Sequence, residues 1–405
     1  MSSESLTNAS ISDLEGALIR ADEVGGEIIL KGESVFGSGT LNVTKSVTIR
    51  GDLNAERPTI NGGGGVANGK AFPAFEIIAS GVTIEHLHFF RPQAIAIRAA
   101  AVNGAIIRDC RIEELQVPGG FAAGSAIIVG AMPPSRGAYG DLQVVDNVID
   151  TVGSSSVGTV GILFNQAGID TTKTAQVLVQ GNEVTNVTGF GIDFRDLQGT
   201  AIVTNNTIDM GDTGADSVGF PSGIRGFGSS AVLCEGQYTI NGNIVTCGIE
   251  SSAGIRIYSN SAAATLTGAI VSANQINVST PTGLSADRNA GIEIRGFVID
   301  AEVSHNTITG EARAALSVTE DPKKSLDLPV LPGPNGTMLT ENHHDSFQPL
   351  LADIFIGAGA GNTQITATEG QKGTIQDLDN TSIPNNYTQI PRARPHGDVV
   401  PILAP

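Results

Sequence analysis

The sequence predicts an all-β chain wound into a solenoid of short parallel strands. Three observations carry that reading. A unit of apolar β-branched strand, Asn and second short strand recurs along the chain. A different short strand, opening Gly-Ile, recurs between the copies. No helical periodicity separates consecutive strands, so the crossover helices of an α/β sheet are missing.

The Asn unit reads LQVVDNVIDTV at 142–152, VLVQGNEVTNV at 177–187, AIVTNNTIDM at 201–210 and YTINGNIVTC at 238–247. It continues as AIVSANQINV at 269–278, AEVSHNTITG at 301–310 and TMLTENHH at 337–344. The shared residues are Asn147, Asn182, Asn206, Asn243, Asn274, Asn306 and Asn342, at spacings of 35, 24, 37, 31, 32 and 36. Cys110 takes the same slot one turn earlier. Asn suits a bend because it tolerates the left-handed backbone region. Its amide can also bond the next Asn one rung away, as stacked amides do in cross-β ladders. The plainer alternative is that each Asn is only a turn former.

The Gly-Ile strands are GILFN at 161–165, GIDFR at 191–195, GIRGF at 223–227, GIRIY at 254–258 and GIEIR at 291–295. AIAIR at 94–98 and AIIVG at 126–130 fit the same place. Alternation puts Ile on the inner face. The outward residues of stacked rungs then form two columns. One runs Leu163, Asp193, Arg225, Arg256, Glu293 and Ser317; the other runs Asn165, Arg195, Phe227, Tyr258, Arg295 and Thr319.

Composition bounds the function. Forty-one acids against 23 bases give a formal charge of −18, the reverse of a nucleic-acid binder's basic footprint, so no nucleic acid partner is expected. No apolar run of ~18 residues exists, so no membrane partner is expected. The three cysteines, Cys110, Cys234 and Cys247, form no CxxC pair and give neither a disulfide framework nor a zinc site. No phosphate loop or dinucleotide fingerprint leads a strand into a helix. The expectation is therefore no cofactor and no metal. The opening MSSESLTNAS lacks a basic and an apolar signal region, so a cytoplasmic protein or the mature form of a secreted one is expected.

The phased Asn and Gly-Ile strands, with the opening segment ISDLEGALIRADEVGGEIILKGESVFGSGTLNVTKSVTIRG at 11–51, make the chain resemble the pectin-lyase-like superfamily over about residues 27–380. The resemblance implies a right-handed parallel β-helix of about ten coils, with a short N-terminal capping helix and a Pro-rich C-terminal tail. Ser12-Asp13-Leu14-Glu15 reads as a capping box, with Ile11, Leu14, Leu18 and Ala21 on one helical stripe. The organisation expected is 1–26 for the N-terminal segment and helix, 27–380 for the β-helix, and 381–405 for an extended tail with five prolines. A Pro-rich excursion at 320–336 and a shorter Gly/Asp one at 211–222 leave the repeats. The superfamily hosts lyases, hydrolases, epimerases, transferases, tailspikes and adhesins, so fold alone does not select an activity.

The charged columns are the candidate site. The expected partner is a poly- or oligosaccharide held in a groove on that sheet. Asp193, Asp196, Arg256 and Glu293 are the catalytic candidates. Glycosidic chemistry needs either two flanking carboxylates or a base beside a neutralised uronate. Three rungs separate Asp193 from Glu293, ~14 Å, which counts against a standard carboxylate pair. Arg195, Arg225, Phe227, Tyr258 and Arg295 are the substrate-binding candidates: guanidinia for acidic groups, and an aromatic pair as a platform for a sugar ring. Two alternatives stay open. The columns are a salt-bridge ladder of a non-catalytic glycan-binding or structural module, or they are the interface of a homo-oligomer. The chain has no Trp and no adjacent Asp-Asp pair, which speaks against pectate lyase and polygalacturonase activity. His86 and His88 read as an exposed strand pair on one face, His343 and His344 as opposite faces, and GGGG at 62–65 as a flexible bend.

Overall fold

Each turn of the chain lays down three strands. In one turn these are Ala175–Gln180, Glu183–Val187 and Phe190–Arg195. The next turn, Gly199–Thr204, Thr207–Met210 and Ser222–Gly228, lies on it in register: Val177 against Ala201, Val184 against Ile208 and Ile192 against Ile224. Among the described residues, repetition builds three parallel sheets of 13, 11 and 14 strands, here called sheets A, B and C in the order the chain meets them. This computed structural model describes residues 3–389 apart from 22–23, 68–69, 101, 118–122, 131–137, 152–157, 167–173, 212–220, 230–234, 249–252, 280–288, 320–332, 358, 368–372 and 378–386. Most of the 320–336 and 211–222 excursions, Cys234, and the tail other than Tyr387–Gln389 therefore lie outside the described residues.

The inner faces of the three sheets meet in one apolar column of Ile, Val, Leu and Phe running the length of the stack. Phe164 and Phe194 stack inside it at 4.8 Å between ring centroids. The glycine of each Gly-Ile strand faces this interior at the bend from sheet B to sheet C. A Cβ at Gly191 would stand 2.5 Å from Ile208 Cγ2 and 2.6 Å from the Gly223 carbonyl oxygen, so the bend closes only without a side chain. The register also corrects the phase of one early copy. Ile97 pairs with Ile127 and Ile127 with Ile162, so in AIAIR the Gly-Ile position falls on Ala96-Ile97 rather than Ala94-Ile95.

The Asn ladder lies at the bend from sheet A to sheet B, fully inside. Asn182 Nδ2 donates to Asn206 Oδ1 at 2.8 Å, Asn206 Nδ2 to Asn243 Oδ1 at 2.9 Å, and Asn243 Nδ2 to Asn274 Oδ1 at 2.9 Å. The same oxygens accept the backbone N–H of the preceding Asn, and each Nδ2 also reaches a carbonyl of the rung behind, such as Val179 O from Asn206 at 3.0 Å. Every amide group thus finds partners in a dry interior, where an unmade bond costs ~1–3 kcal/mol. Cys110 ends the ladder, its N–H donating to Asn147 Oδ1 at 3.0 Å.

The bend itself is not made by the ladder residue. The left-handed backbone belongs to the residue before it: Asp109, Asp146, Gly181, Asn205, Gly242, Ala273, His305 and Glu341 all have φ between 48° and 67°. The Asn contributes its amide, and its predecessor contributes the turn.

The helix spans Ile11–Arg20 and buries Leu14, Ala17 and Leu18 against the first coil. Its cap is Ser10, two residues before the Ser12 expected from the sequence: Ser10 Oγ accepts from the Asp13 N–H at 3.2 Å, and Asp13 Oδ2 accepts from the Ser10 N–H at 2.8 Å. Starting there brings Ala17 onto the buried stripe and leaves Ile11 and Ala21 at its margins. Before the helix, Ser3–Thr7 adds a rung to sheet A by pairing with 27–31. The four glycines at 62–65 form an ordered turn, with Gly63 N–H donating to Gly37 O at 2.9 Å and Gly64 N–H to Gly39 O at 2.8 Å. His343 is exposed and His344 buried, on opposite faces as the sequence indicates.

Candidate active site on sheet C

The Gly-Ile phase fixes which side chains share the outer face of sheet C. Leu163 pairs with Asp193, Asp193 with Arg225, Arg225 with Arg256, Arg256 with Glu293 and Glu293 with Ser317. The neighbouring column runs Asn165, Arg195, Phe227, Tyr258, Arg295 and Thr319 through the same pairings. Eight of the nine sequence-derived candidates stand in these two columns.

Burial separates them from an exposed ladder. Asp193 is 0% exposed, Arg256 and Arg295 1% each, and Glu293 3%. Charge so far from water must be compensated locally. Asp193 takes both Nε and Nη2 of Arg225, at 2.7 and 2.8 Å, and Nε of Arg195 at 2.7 Å. Burial pushes its carboxyl up, and the charges and hydrogen bonds of the two guanidinia outweigh it, so Asp193 sits below the usual aspartate range. Glu293 accepts from Arg256 Nε, and Arg295 Nη1 stands 3.7 Å from its other oxygen. Burial pulls the Arg256 guanidinium below its ordinary value; Glu293 opposes the shift, while Arg295 and Arg225 add to it.

The two aromatic candidates lie on neighbouring rungs. Phe227 and Tyr258 stack at 5.2 Å with 24° between ring planes. Arg295 lies over Tyr258 at 4.8 Å, and Arg225 lies between Phe190 at 3.7 Å and Phe227 at 5.1 Å. Arg195 is the most open of the charged candidates, its side chain 36% exposed.

Asp196 does not join the columns. It stands just past the strand end at φ 52°, where Ser229 N–H donates to Oδ1 at 2.6 Å and Ser229 Oγ to Oδ2 at 2.7 Å. Both oxygens are occupied in fastening one coil to the next, which is a positioning task. Phe190 was missed from the sequence. It packs outward with Val160, Leu163, Ile128 and Ile95 in a second apolar cluster, separate from the core, that borders the charged columns. The Gly-Ile bend shifts the residues before it to the outer face, so strict alternation misplaces Phe190.

The histidine reading is corrected. His86 is a bend residue at φ 54° and His88 a strand residue; both are partly buried, and they line a cleft with Arg57 and Arg111.

No family model matches the chain, and no curated protein sequence matches it. Solved structures do. The Streptococcus pneumoniae surface protein and adhesin PfbA is similar with a TM-score of 0.51 at 13% identity, covering 88% of this chain and 95% of that chain. A second PfbA structure gives 0.50 at 11% identity, covering 89% of each chain. A PL6 alginate lyase in complex with a trisaccharide gives 0.50 at 13% identity, covering 93% of this chain and 85% of that one. The likeness is one of fold: this chain is a parallel β-helix.

Proposed function

We propose that the chain is a carbohydrate-active β-helix protein that acts on a poly- or oligosaccharide at the outer face of sheet C, as a lyase, hydrolase or transferase. The observation that carries this is the convergence there of Arg256–Glu293 with the Phe227–Tyr258 stack and three further guanidinia. Phe227 offers apolar surface to a sugar ring, and Arg195 and Arg225 offer donors to hydroxyl or carboxylate groups, while the buried Tyr258 stacks on Phe227 and the buried Arg295 lies over Tyr258. Arg256 is the candidate catalytic guanidinium, held almost wholly buried against Glu293. Glu293 orients it. Structures of the same fold include a trisaccharide-bound lyase, which supports the class of ligand.

A non-catalytic glycan-binding module is the second reading. One observation favours it: Asp193, Asp196 and Glu293 are all bonded to neighbouring side chains. A panel of glycans assayed for new reducing ends and for the absorbance of unsaturated uronates separates the two. Arg256→Lys and Glu293→Gln, made singly in protein shown to be folded, should each lower turnover ~10²-fold or more. Binding without turnover across the panel establishes the second reading. Full turnover in both variants places the chemistry elsewhere.

A further inference from the structure

A second constellation of charged groups lies on another face of the solenoid. Arg57, His86, His88, Arg111 and Glu113 line a cleft of about 320 Å³ at the bend from sheet A to sheet B. Two carboxylates hold the four basic groups together. Asp109 is 2.5 Å from Arg57 Nη2 and 2.7 Å from His86 Nδ1. Glu113 is 2.8 Å from His88 Nε2 and also pairs with Arg111. His88 Nδ1 meets Thr59 Oγ1 at 3.3 Å, which fixes the ring from its other side.

The charges do not close with both imidazoles protonated. Two guanidinia balance two carboxylates, so each imidazolium adds one uncompensated positive charge to a half-buried cleft. Burial accordingly pulls His88 below its ordinary value, against the upward pull of Glu113 and with the repulsion of Arg111 and Arg57. An entering anion would supply the charge that a protonated imidazole lacks, so binding the anion and protonating the cleft favour each other. Arg57 Nε is buried and has no hydrogen-bond partner among the described residues, so one guanidinium keeps a donor in reserve. Metal binding fits less well: among the described residues no three His, Cys, Asp or Glu side chains converge as ligands. A plain ladder pair looks different. His305, 3.4 Å from Glu341 at the same corner position, has its side chain 57% exposed, against 19% for His86 and 22% for His88.

We propose that this cleft is an oxyanion site, taking one carboxylate or sulfate group between Arg57, Arg111 and the two histidines. It stands independently of any glycan groove on sheet C.

The test follows the histidine ring resonances of the full chain by NMR while chloride is exchanged for sulfate, acetate or glucuronate at constant ionic strength. His86→Gln and His88→Gln assign the two signals. Both rings should shift saturably, with millimolar midpoints, while His305 stays in place. Arg57→Gln with Arg111→Gln should weaken the response at least ~10-fold, and Arg111→Lys, which keeps the charge, should retain most of it. A lower midpoint for glucuronate than for acetate assigns the group to a sugar acid; equal midpoints assign it to the oxyanion alone. Shifts that never saturate, that His305 shares, or that survive in the double variant overturn the site.

Discussion

Asp193 has no contact with water, and two guanidinia bond it from its own strand and the next rung. Its folded carboxyl lies below the unfolded value of about 3.9, so the unfolded chain binds the proton more readily. The stability this provides is present above that unfolded value and is lost as pH falls through the folded one. Urea midpoints of the native chain and of Asp193→Asn, measured from pH 6 down to pH 2, should show a native advantage that holds at the upper end and shrinks below pH ~4. A gap independent of pH would mean that the carboxyl titrates alike in the folded and unfolded chain, and one that widened toward acid would mean that Asp193 is protonated when folded. The columns themselves were legible, because the Gly-Ile phase fixes which residues stack. Their burial was not, since alternation marks the outward face without recording what surrounds it. The fastening role of Asp196 was illegible for a related reason: its partner, Ser229, is 33 positions along the chain.

Between rungs, the Asn ladder is the repeated device. Asn206 accepts from the N–H and Nδ2 of Asn182, and donates Nδ2 to Asn243 and to two backbone carbonyls. Leu at 206 would leave the Asn182 amide and Asn243 Oδ1 short of partners, and should destabilise by ~1–3 kcal/mol in equilibrium unfolding. An unchanged midpoint would show that the ladder's amides are dispensable. The same slot holds Leu87, fully buried, in the coil before Cys110, so size alone does not exclude Leu. The difference is the neighbour: Leu87 lies beyond the end of the ladder and interrupts no amide chain. The ladder could be read from sequence because one residue type recurs in phase. The left-handed position before it could not, because Asp, Gly, Asn, Ala, His and Glu all fill it. Ser10 was passed over as the cap because Ser12 offers a matching Ser-x-x-Glu pattern nearby.

Across the whole molecule, each coil touches the one before and the one after, so stability should follow nearest-neighbour rules. The N-terminal helix matters in that scheme because an open coil would expose the apolar column to water. Leu14, Ala17 and Leu18 are buried in the same core cluster as Leu41 and Ile28, and the helix packs against the strand Leu41–Val43. Leu14→Asp places a carboxylate where it has neither water nor a partner, and the helix should lift away rather than bury the charge. Backbone amides of Val24–Lys31 and Ser46–Gly51 should then exchange hydrogen faster, while those of Gly199–Thr204, many rungs along, keep native protection. Hydrogen exchange resolved along the chain reads both regions at once. If the variant lost protection uniformly, the solenoid would be a single cooperative unit and the helix part of its nucleus. A loss confined to the first coils means that the stack frays from its end, with the helix setting the threshold at which fraying begins.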